Sequence, residues 1–275
     1  MDTKGYLAEY YQGYDEDGRL LTRYGKVEYI TTMKYIEKYL RPGMRILEIG
    51  AGTGRYSHAL AQQGYAVDAV ELLEHNIRLF QERTLPGEWV TITQGNAMDL
   101  SWIPSDTYEI TLLLGPMYHL FTEEDQKQAL SEAIRVTKPG GVIFAAYCMG
   151  DASVLTYGFL RGAIYDIIEK CMVDPETFAT FSNPWDIFEL YRKEDIDKLR
   201  EGFPVTQLHF VAADGYANHM RQTLETMEEG MYELYLKYHL ATCERQDLIG
   251  YSHHTLDIFR KDSSQKEDPV SVVTI

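Results

Sequence analysis

The sequence predicts a doubly wound α/β fold built on a mostly parallel sheet of seven strands. Three observations lead to this prediction. Short apolar runs alternate with amphipathic segments from residue 26 to residue 148, a glycine cluster follows the first of these runs, and further strand-like runs close the chain. Strands and helices that alternate at this spacing form a parallel sheet covered by helices on both faces. We therefore expect a single domain over residues 1–261.

Each element follows from its own pattern. In the first predicted helix, over residues 26–40, apolar side chains recur at helical spacing until Arg41-Pro42-Gly43 ends it. The predicted strands are 45–49, 65–71, 89–94, 109–114, 142–148, 205–212 and 255–260. The other predicted helices are 56–63, 72–83, 123–136, 154–172, 193–201 and one with an apolar face formed by Leu224, Met227, Met231, Leu234 and Tyr238.

Three segments lie outside the alternating pattern. Residues 1–24 hold five tyrosines. Residues 150–188 are a helical and aromatic segment after the fifth strand; they are too few for a core of their own, so we expect an insertion rather than an independent domain. Residues 262–275 are polar, and we expect a flexible tail.

Composition limits the partners. The chain has 275 residues, with 26 Lys and Arg against 42 Asp and Glu, which gives a formal net charge of −16. This charge disfavours nucleic acid, which is bound through clustered basic side chains. We find no signal peptide, and the longest apolar stretch, 110–121, is too short to cross a bilayer. We expect a cytoplasmic protein that acts on a small molecule without a membrane partner. The sequence does not predict the oligomeric state.

Cysteines and histidines give no metal signal. The three cysteines lack C-x-x-C spacing, so neither a disulfide framework nor a cysteine-based zinc site is expected. The eight histidines lack H-E-x-x-H spacing, and the adjacent His253 and His254 face opposite sides of a strand. We therefore predict no metal centre.

The strongest motif is the glycine run that follows the first strand, I-L-E-I-G-A-G-T-G over residues 46–54. Glycines between a strand and a helix let the backbone turn tightly and approach a ligand closely. A dinucleotide fingerprint starting at Gly50 would need glycine at position 55, which is Arg55. A second acid, Glu71, ends the next predicted strand, about 20 residues further on, where a carboxylate can accept both ribose hydroxyl protons.

Over roughly residues 44–148 the chain resembles the class I S-adenosylmethionine (SAM)-dependent methyltransferases, and E-I-G-A-G-T-G is similar to their first motif. The resemblance implies a Rossmann-like fold, SAM as the cofactor and S-adenosylhomocysteine as the product. It also implies that Glu71 binds the ribose and that a carbonyl near Leu114 accepts from the cofactor's ammonium. The full set of implied cofactor residues is Glu48, Gly50, Ala51, Gly52, Gly54, Glu71, Leu72, Asn96, Ala97, Met98 and Leu114. Asn96 stands where the family usually has Asp, and an amide oxygen can still accept from the adenine amine.

Aromatic residues and one histidine are the candidates for the acceptor side. By the resemblance, Tyr118 and His119 point toward the transferred methyl group. Because an imidazole titrates near neutrality, His119 is a candidate general base; the alternative is that it shapes the pocket or caps a helix. The resemblance also implies that residues 1–24 form a lid and that the insertion over 150–188 covers the substrate. Tyr10, Tyr11 and Tyr14 are the preferred substrate-binding residues of the lid, because aromatic walls exclude water.

The predicted function is methyl transfer from SAM to a small-molecule nucleophile by in-line displacement. Two alternatives remain open at this stage. One is a SAM-binding protein without catalysis. The other is a nicotinamide-dependent oxidoreductase, against which the missing third glycine argues.

Overall fold

The computed structural model describes residues 3–14 and 16–263, and it confirms the predicted fold class. One sheet of eight strands forms the centre, in the order β3-β2-β1-β4-β5-β8-β7 with β6 beside β5. Every pairing among β1 to β6 is parallel, whereas β8 runs antiparallel to both β5 and β7. The strands are β1 (Arg45–Ile49), β2 (Ala66–Glu71), β3 (Val90–Gln94), β4 (Tyr108–Leu113), β5 (Thr137–Met149), β6 (Leu190–Tyr191), β7 (Val205–Ala212) and β8 (His254–Lys261).

The helices follow the predicted alternation as far as β5. Thr22 and Thr122 begin two of them, because each side-chain oxygen accepts from the N–H three residues on. The helices are α1 (Thr3–Gly13), α2 (Glu16–Leu21), α3 (Arg23–Tyr39), α4 (Arg55–Gln62), α5 (Glu74–Arg83), α6 (Glu123–Val136), α7 (Gly150–Ser153), α8 (Ile164–Glu169), α9 (Lys193–Arg200), α10 (Arg221–Thr226) and α11 (Glu229–Thr242). None of the helices within the described ranges is both long and apolar enough to cross a bilayer.

The sheet places a crevice at the carboxyl end of β1. Strands β1, β4 and β5 lie in the middle of the sheet, and Leu47, Leu112 and Phe144 on them are completely buried. Strands covered on both faces are apolar runs, as these are. The chain proceeds from β1 outward to β2 and β3, then returns to the other side of β1 with β4. In such sheets, ligands bind at the strand ends where the order reverses.

The predicted helix over residues 154–172 is wrong as a single helix. The chain forms a wide helical turn over residues 154–160, breaks, and resumes as α8. Gly162, at the break, has φ +75°, a left-handed conformation that interrupts helical hydrogen bonding. The apolar spacing continues across Gly162, which is why the pattern alone predicted one helix.

The predicted helix marked by Leu224 and Tyr238 is also two helices, α10 and α11. The Glu228 side chain accepts from the N–H groups of Gly230 and Met231 and so begins a new helix there. The buried side chains of α11 are Tyr232 and His239, while three of the predicted positions, Met231, Leu234 and Tyr238, are exposed. The break rotates the second helix, so the predicted apolar face was wrong beyond it.

Smaller differences concern the strands and the chain ends. Strand β5 begins at Thr137, five residues before the predicted start at 142, and its register with β4 shifts there. The two-residue strand β6 was not predicted. Of the expected lid, residues 1, 2 and 15 lie outside the described residues. Of the expected tail, residues 264–275 do.

Candidate active site

A cavity of about 640 Å³ opens at the carboxyl ends of β1, β2 and β4. This volume lies in the usual range for small-molecule sites. The glycine loop and Glu71 line one side of the cavity, and α1 covers it with Leu7 and Tyr11 among others. The cavity therefore lies at the reversal point of the sheet, where the topology predicts a ligand.

The glycine loop turns tightly between β1 and α4. Gly50, Gly52 and Gly54 all have positive φ, at +75°, +56° and +88°. A Cβ on Gly50 would lie 2.6 Å from Cδ of Pro116, so this position needs glycine for space as well as for conformation. A Cβ on Gly52 would meet nothing within 4 Å, because this part of the loop faces open space. The loop thus presents bare backbone to the cavity.

Glu71 ends β2 and reaches back to the glycine loop. Its carboxylate accepts from the N–H of Gly52 at 2.9 Å, from the N–H of Leu73 at 2.9 Å and from Nδ2 of Asn76 at 3.2 Å. Burial raises the pKa of Glu71, and these three donors oppose that rise. The carboxylate is therefore held in one position beside the loop, on the cavity wall.

Glu48 lies beneath the loop in β1 and is almost completely buried. The hydroxyl of Ser57 donates to its carboxylate. Desolvation raises the pKa of Glu48 to about 7, so its charge at neutral pH depends on whether a cation lies nearby.

The loop after β3 lines the cavity together with the glycine loop and Glu71. Asn96, Ala97 and Met98 line the cavity, and the side-chain oxygen of Asn96 accepts from the N–H of Met98 at 3.0 Å. This bond folds the loop on itself and fixes the asparagine side chain. Asn96 therefore holds its own loop together as well as facing the cavity.

The segment after β4 brings Tyr118 and His119 to the other side of the cavity. The hydroxyl of Tyr118 donates to the carbonyl of Leu114 at 2.6 Å. The Nδ1 atom of His119 lies 2.8 Å from the carbonyl of Ile187, and its Nε2 atom lies 2.9 Å from the hydroxyl of Tyr11. A carbonyl only accepts, so Nδ1 carries the proton and Nε2 accepts from Tyr11. Burial lowers the pKa of His119 to about 4, so the ring is neutral at physiological pH.

The comparisons with known proteins agree on one family. A family model described as a methyltransferase domain matches residues 46–141, the range that contains the glycine loop, Glu71 and Asn96. Residues 46–141 therefore match a methyltransferase domain, and this match confirms the predicted resemblance to the class I SAM-dependent methyltransferases.

Curated relatives match parts of this chain. A SAM-dependent Diels-Alderase of Talaromyces variabilis is 33% identical over 37% of this chain and 35% of its own length. A ubiquinone biosynthesis O-methyltransferase of Pseudomonas fluorescens is 26% identical over 66% of this chain and 78% of its own length. The chain spans between 35% and 54% of the first three curated relatives that it matches.

Solved structures share the fold. A SAM-dependent methyltransferase of Methanosarcina mazei superimposes with a TM-score of 0.55 at 19% identity, over 83% of this chain and 97% of that one. A possible histamine N-methyltransferase of Thermotoga maritima gives a TM-score of 0.57 at 16% identity, over 95% of this chain and all of that one. At these identities the likeness concerns the fold.

Most of the predicted site residues line the cavity at the carboxyl ends of β1, β2 and β4. Two do not: Gly54 begins α4 against Phe80 and His58, and Tyr10 packs against Tyr11, Tyr14 and Phe188. Those that do are Glu48, Gly50, Ala51, Gly52, Glu71, Leu72, Asn96, Ala97, Met98, Leu114, Tyr11, Tyr14, Tyr118 and His119. From the insertion over 150–188, Pro184 lines the cavity, and Ile187 contributes the carbonyl that holds His119.

Sequence reasoning missed a second group on the acceptor side, formed by Glu28, Asp214 and His254. Glu28 comes from α3, Asp214 follows β7, and His254 begins β8. Glu28 and His254 line the cavity. In the fold, β8 runs antiparallel to β5, so His254 at its start pairs with Cys148 at the carboxyl end of β5. The predicted opposite orientation of His253 and His254 is consistent with their contacts, since His253 instead bonds to Thr156.

Proposed function

We propose that this protein transfers a methyl group from SAM to a small-molecule acceptor. The observation that carries the proposal is a single cavity that joins two unlike walls. One wall has the glycine loop, Glu71 and Asn96, and the other has Tyr11, Tyr118 and His119. A cofactor on the first wall and an acceptor on the second would meet inside one space closed by α1.

The residues of the first wall fit SAM. The Glu71 carboxylate, held by Gly52 and Asn76, is an acceptor for the ribose hydroxyls. The open space above Gly52 leaves room for the cofactor against the backbone. The buried Glu48 and the carbonyl of Leu114 suit an ammonium group, which would keep the Glu48 carboxylate ionised. The loop of Asn96, Ala97 and Met98 suits adenine.

When bound, the cofactor supplies a methyl group on a sulfonium, which is already a good leaving group. The protein's task is then to hold the acceptor in line and to exclude water, which can contribute roughly 7–11 kcal/mol in favourable systems. Tyr11 and His119 form a fixed pair at the acceptor end. Because the carbonyl of Ile187 and the hydroxyl of Tyr11 occupy both ring nitrogens, the contacts favour a positioning role for His119, with Nε2 as the proton acceptor of Tyr11.

The acceptor is proposed to be small. The net charge of −16 opposes binding to nucleic acid. Lid residues 3, 4, 7, 11–14 and 20 line the cavity and reduce access to it. We propose that residues 1–24 act as the lid of a single domain over residues 1–261.

A second candidate function is binding of SAM without methyl transfer. It is favoured by the similarity to the SAM-dependent Diels-Alderase of Talaromyces variabilis, which is 33% identical over 106 residues. In that case the same cavity would bind the cofactor and a reactant, and no S-adenosylhomocysteine would form.

The test begins with calorimetric titration of the purified protein with S-adenosylhomocysteine, using NAD and NADP as controls. Binding of S-adenosylhomocysteine alone supports the cofactor assignment, and binding of a dinucleotide instead contradicts it. The protein is then incubated with SAM and a panel of small acceptors, and release of S-adenosylhomocysteine is measured. Acceptor-dependent release supports methyl transfer. Conversion of a reactant that needs SAM but releases no S-adenosylhomocysteine would support the second candidate.

A further inference from the structure

Three ionisable side chains from distant parts of the chain meet at the acceptor side of the cavity. Nδ1 of His254 lies 2.7 Å from Oδ2 of Asp214 and 3.3 Å from Oε2 of Glu28. The same Oε2 atom of Glu28 lies 2.7 Å from Nη1 of Arg19. Two acids therefore face one nitrogen of the imidazole, and Arg19 balances the second acid.

Both carboxylate oxygens of Asp214 accept hydrogen bonds from His254 and from neighbouring donors. Oδ1 accepts from the hydroxyl of Ser252 at 2.7 Å and from the N–H of His254 at 3.1 Å. Oδ2 accepts from the side chain of Asn218 and from Nδ1 of His254. A carboxylate has about four acceptor positions, so none is left for a metal ion. The cluster is a hydrogen-bonded ion pair rather than a set of metal ligands.

The ion pair fixes the charge of His254. Burial alone would lower the pKa of His254, but the carboxylates of Glu28 and of the completely buried Asp214 hold it well above the usual value. The imidazolium in turn lowers the pKa of Asp214. Both nitrogens of the ring therefore carry protons at neutral pH, and Nδ1–H is taken by the two acids.

The second N–H of His254 faces the cavity. His254 and the following Thr255 line it, and the His254 ring lies 6.5 Å from the ring of Tyr118 between centroids. Within residues 3–14 and 16–263, no protein atom accepts a hydrogen bond from Nε2 of His254. This atom is not fully buried, so a ligand in the cavity can reach it. A charged donor thus points into the space beside Tyr118.

We propose that Nε2–H of His254 binds an anionic oxygen of the methyl acceptor, such as a carboxylate, phenolate or enolate. This inference rests on the proposed function, which makes the bound molecule a methyl acceptor. An imidazolium has no free lone pair, so His254 binds the acceptor rather than removing its proton. Charge-assisted hydrogen bonds are shorter and stronger than neutral ones, and the fixed ring makes the contact directional. Strand β8 lies on the opposite side of β1 from β2 and β3, so this donor is remote from Glu71 and Asn96.

The experiment uses benzoate and benzamide as matched probes, since they differ in the charge of the accepting group. Affinities are measured by calorimetry on the full chain, with and without saturating S-adenosylhomocysteine. We expect benzoate to bind roughly tenfold more tightly than benzamide, and His254→Gln to remove most of that preference. The control is His209→Gln, which replaces a histidine that bonds to Glu244 outside the cavity and should keep the preference.

Each outcome decides the inference separately from the proposed function. A preference that is absent in the wild type, or that survives in folded His254→Gln, overturns the inference. Loss of the benzoate preference when S-adenosylhomocysteine saturates the protein also overturns it, because the anion would then be the cofactor's own carboxylate. Failure to bind S-adenosylhomocysteine, with the His254-dependent preference intact, instead contradicts the proposed function alone.

A second measurement covers the case in which His254→Gln does not fold. In backbone-assigned, isotope-labelled wild-type protein, the ¹⁵Nε2 resonance of His254 should shift when benzoate is added and stay in place with benzamide. An unmoved resonance at saturating benzoate would contradict the proposed contact.

Discussion

The hydroxyl of Tyr11 donates to Nε2 of His119 across a separation of 108 residues, at 2.9 Å. Tyr11 lies on α1, the helix that covers the cavity, whereas His119 follows the central strand β4. This hydrogen bond joins α1 to the wall of the cavity, and the neutral form of the imidazole is the form that accepts it.

Removing this bond should slow turnover more than it weakens cofactor binding. For Tyr11→Phe and His119→Gln we expect a loss in kcat of about 10- to 100-fold, because the acceptor end is no longer held in line. Once an acceptor has been found, release of S-adenosylhomocysteine measures kcat, and calorimetry measures cofactor affinity. Tyr6→Phe, on the same helix but outside the cavity, is the control. Equal losses in affinity and kcat would contradict the positioning role.

Stability should fall in mild acid because of His119. Its pKa is about 4 in the folded protein and about 6.5 when unfolded, so between these values the unfolded chain binds more protons. The free energy of unfolding therefore falls as the pH drops from about 6.5 to 4. His119→Gln should flatten this part of the profile, measured by urea unfolding at several pH values. An identical pH profile in wild type and variant would show that the ring is already protonated in the fold.

Glu71→Gln should weaken binding of S-adenosylhomocysteine by roughly 10- to 100-fold, since hydrogen bonds to a charged group contribute about 1.5–3 kcal/mol. Calorimetric titration gives the affinity. Glu74→Gln, an exposed position three residues further on, is the matched control and should bind as the wild type does. Unchanged affinity in folded Glu71→Gln would exclude the ribose assignment.

Gly50→Ala should destabilise the fold more than Gly43→Ala. Both positions have positive φ, so both substitutions introduce backbone strain of about 1–3 kcal/mol. Only the Cβ at position 50 also lies 2.6 Å from Cδ of Pro116, whereas a Cβ at position 43 meets nothing within 4 Å. Urea unfolding of both variants separates the cost of backbone strain, which they share, from the cost of the contact with Pro116, which only Gly50→Ala has. Equal losses in the two variants would show that Pro116 moves aside without cost.

Asp214→Asn should be strongly destabilising at neutral pH. The substitution leaves the His254 imidazolium with Glu28 as its remaining acid, and breaking a buried ion pair costs about 3–5 kcal/mol. Folding lowers the pKa of Asp214 and raises that of His254. The pair therefore stabilises the fold fully at pH values between the pKa of an unfolded aspartate and the pKa of an unfolded histidine. Thermal unfolding at pH 6 measures the loss. A variant as stable as the wild type would contradict the charged state of the pair.

That Gly50, Glu71 and Asn96 lie together could be predicted from the sequence because each is close to a strand end. Gly50 directly follows β1, Glu71 ends β2 and Asn96 lies two residues after β3, and the ends of parallel strands meet at one edge of a sheet. Glu28, Asp214 and His254 could not be found in this way. Their meeting depends on how α3 and β8 pack against the sheet, and no local pattern records it.

The ends of the helices after β5 also could not be predicted from the apolar pattern. The apolar spacing through Gly162, and again through Glu228, is compatible with one continuous helix. What ends the helix is a single residue with a conformational or capping preference that outweighs the pattern. The strand ends near the cavity were predicted within about two residues because buried parallel strands are short, uninterrupted apolar runs.

Helix α1 buries one side chain, Leu7, beneath its polar and aromatic surface. Few buried contacts mean a low free energy of local opening, well below that of unfolding the sheet. Exchange of ligands is therefore a separate transition from global unfolding, and it can occur many times within the lifetime of one folded molecule. Variants that loosen α1 should shorten ligand residence times while leaving the melting temperature of the domain nearly unchanged.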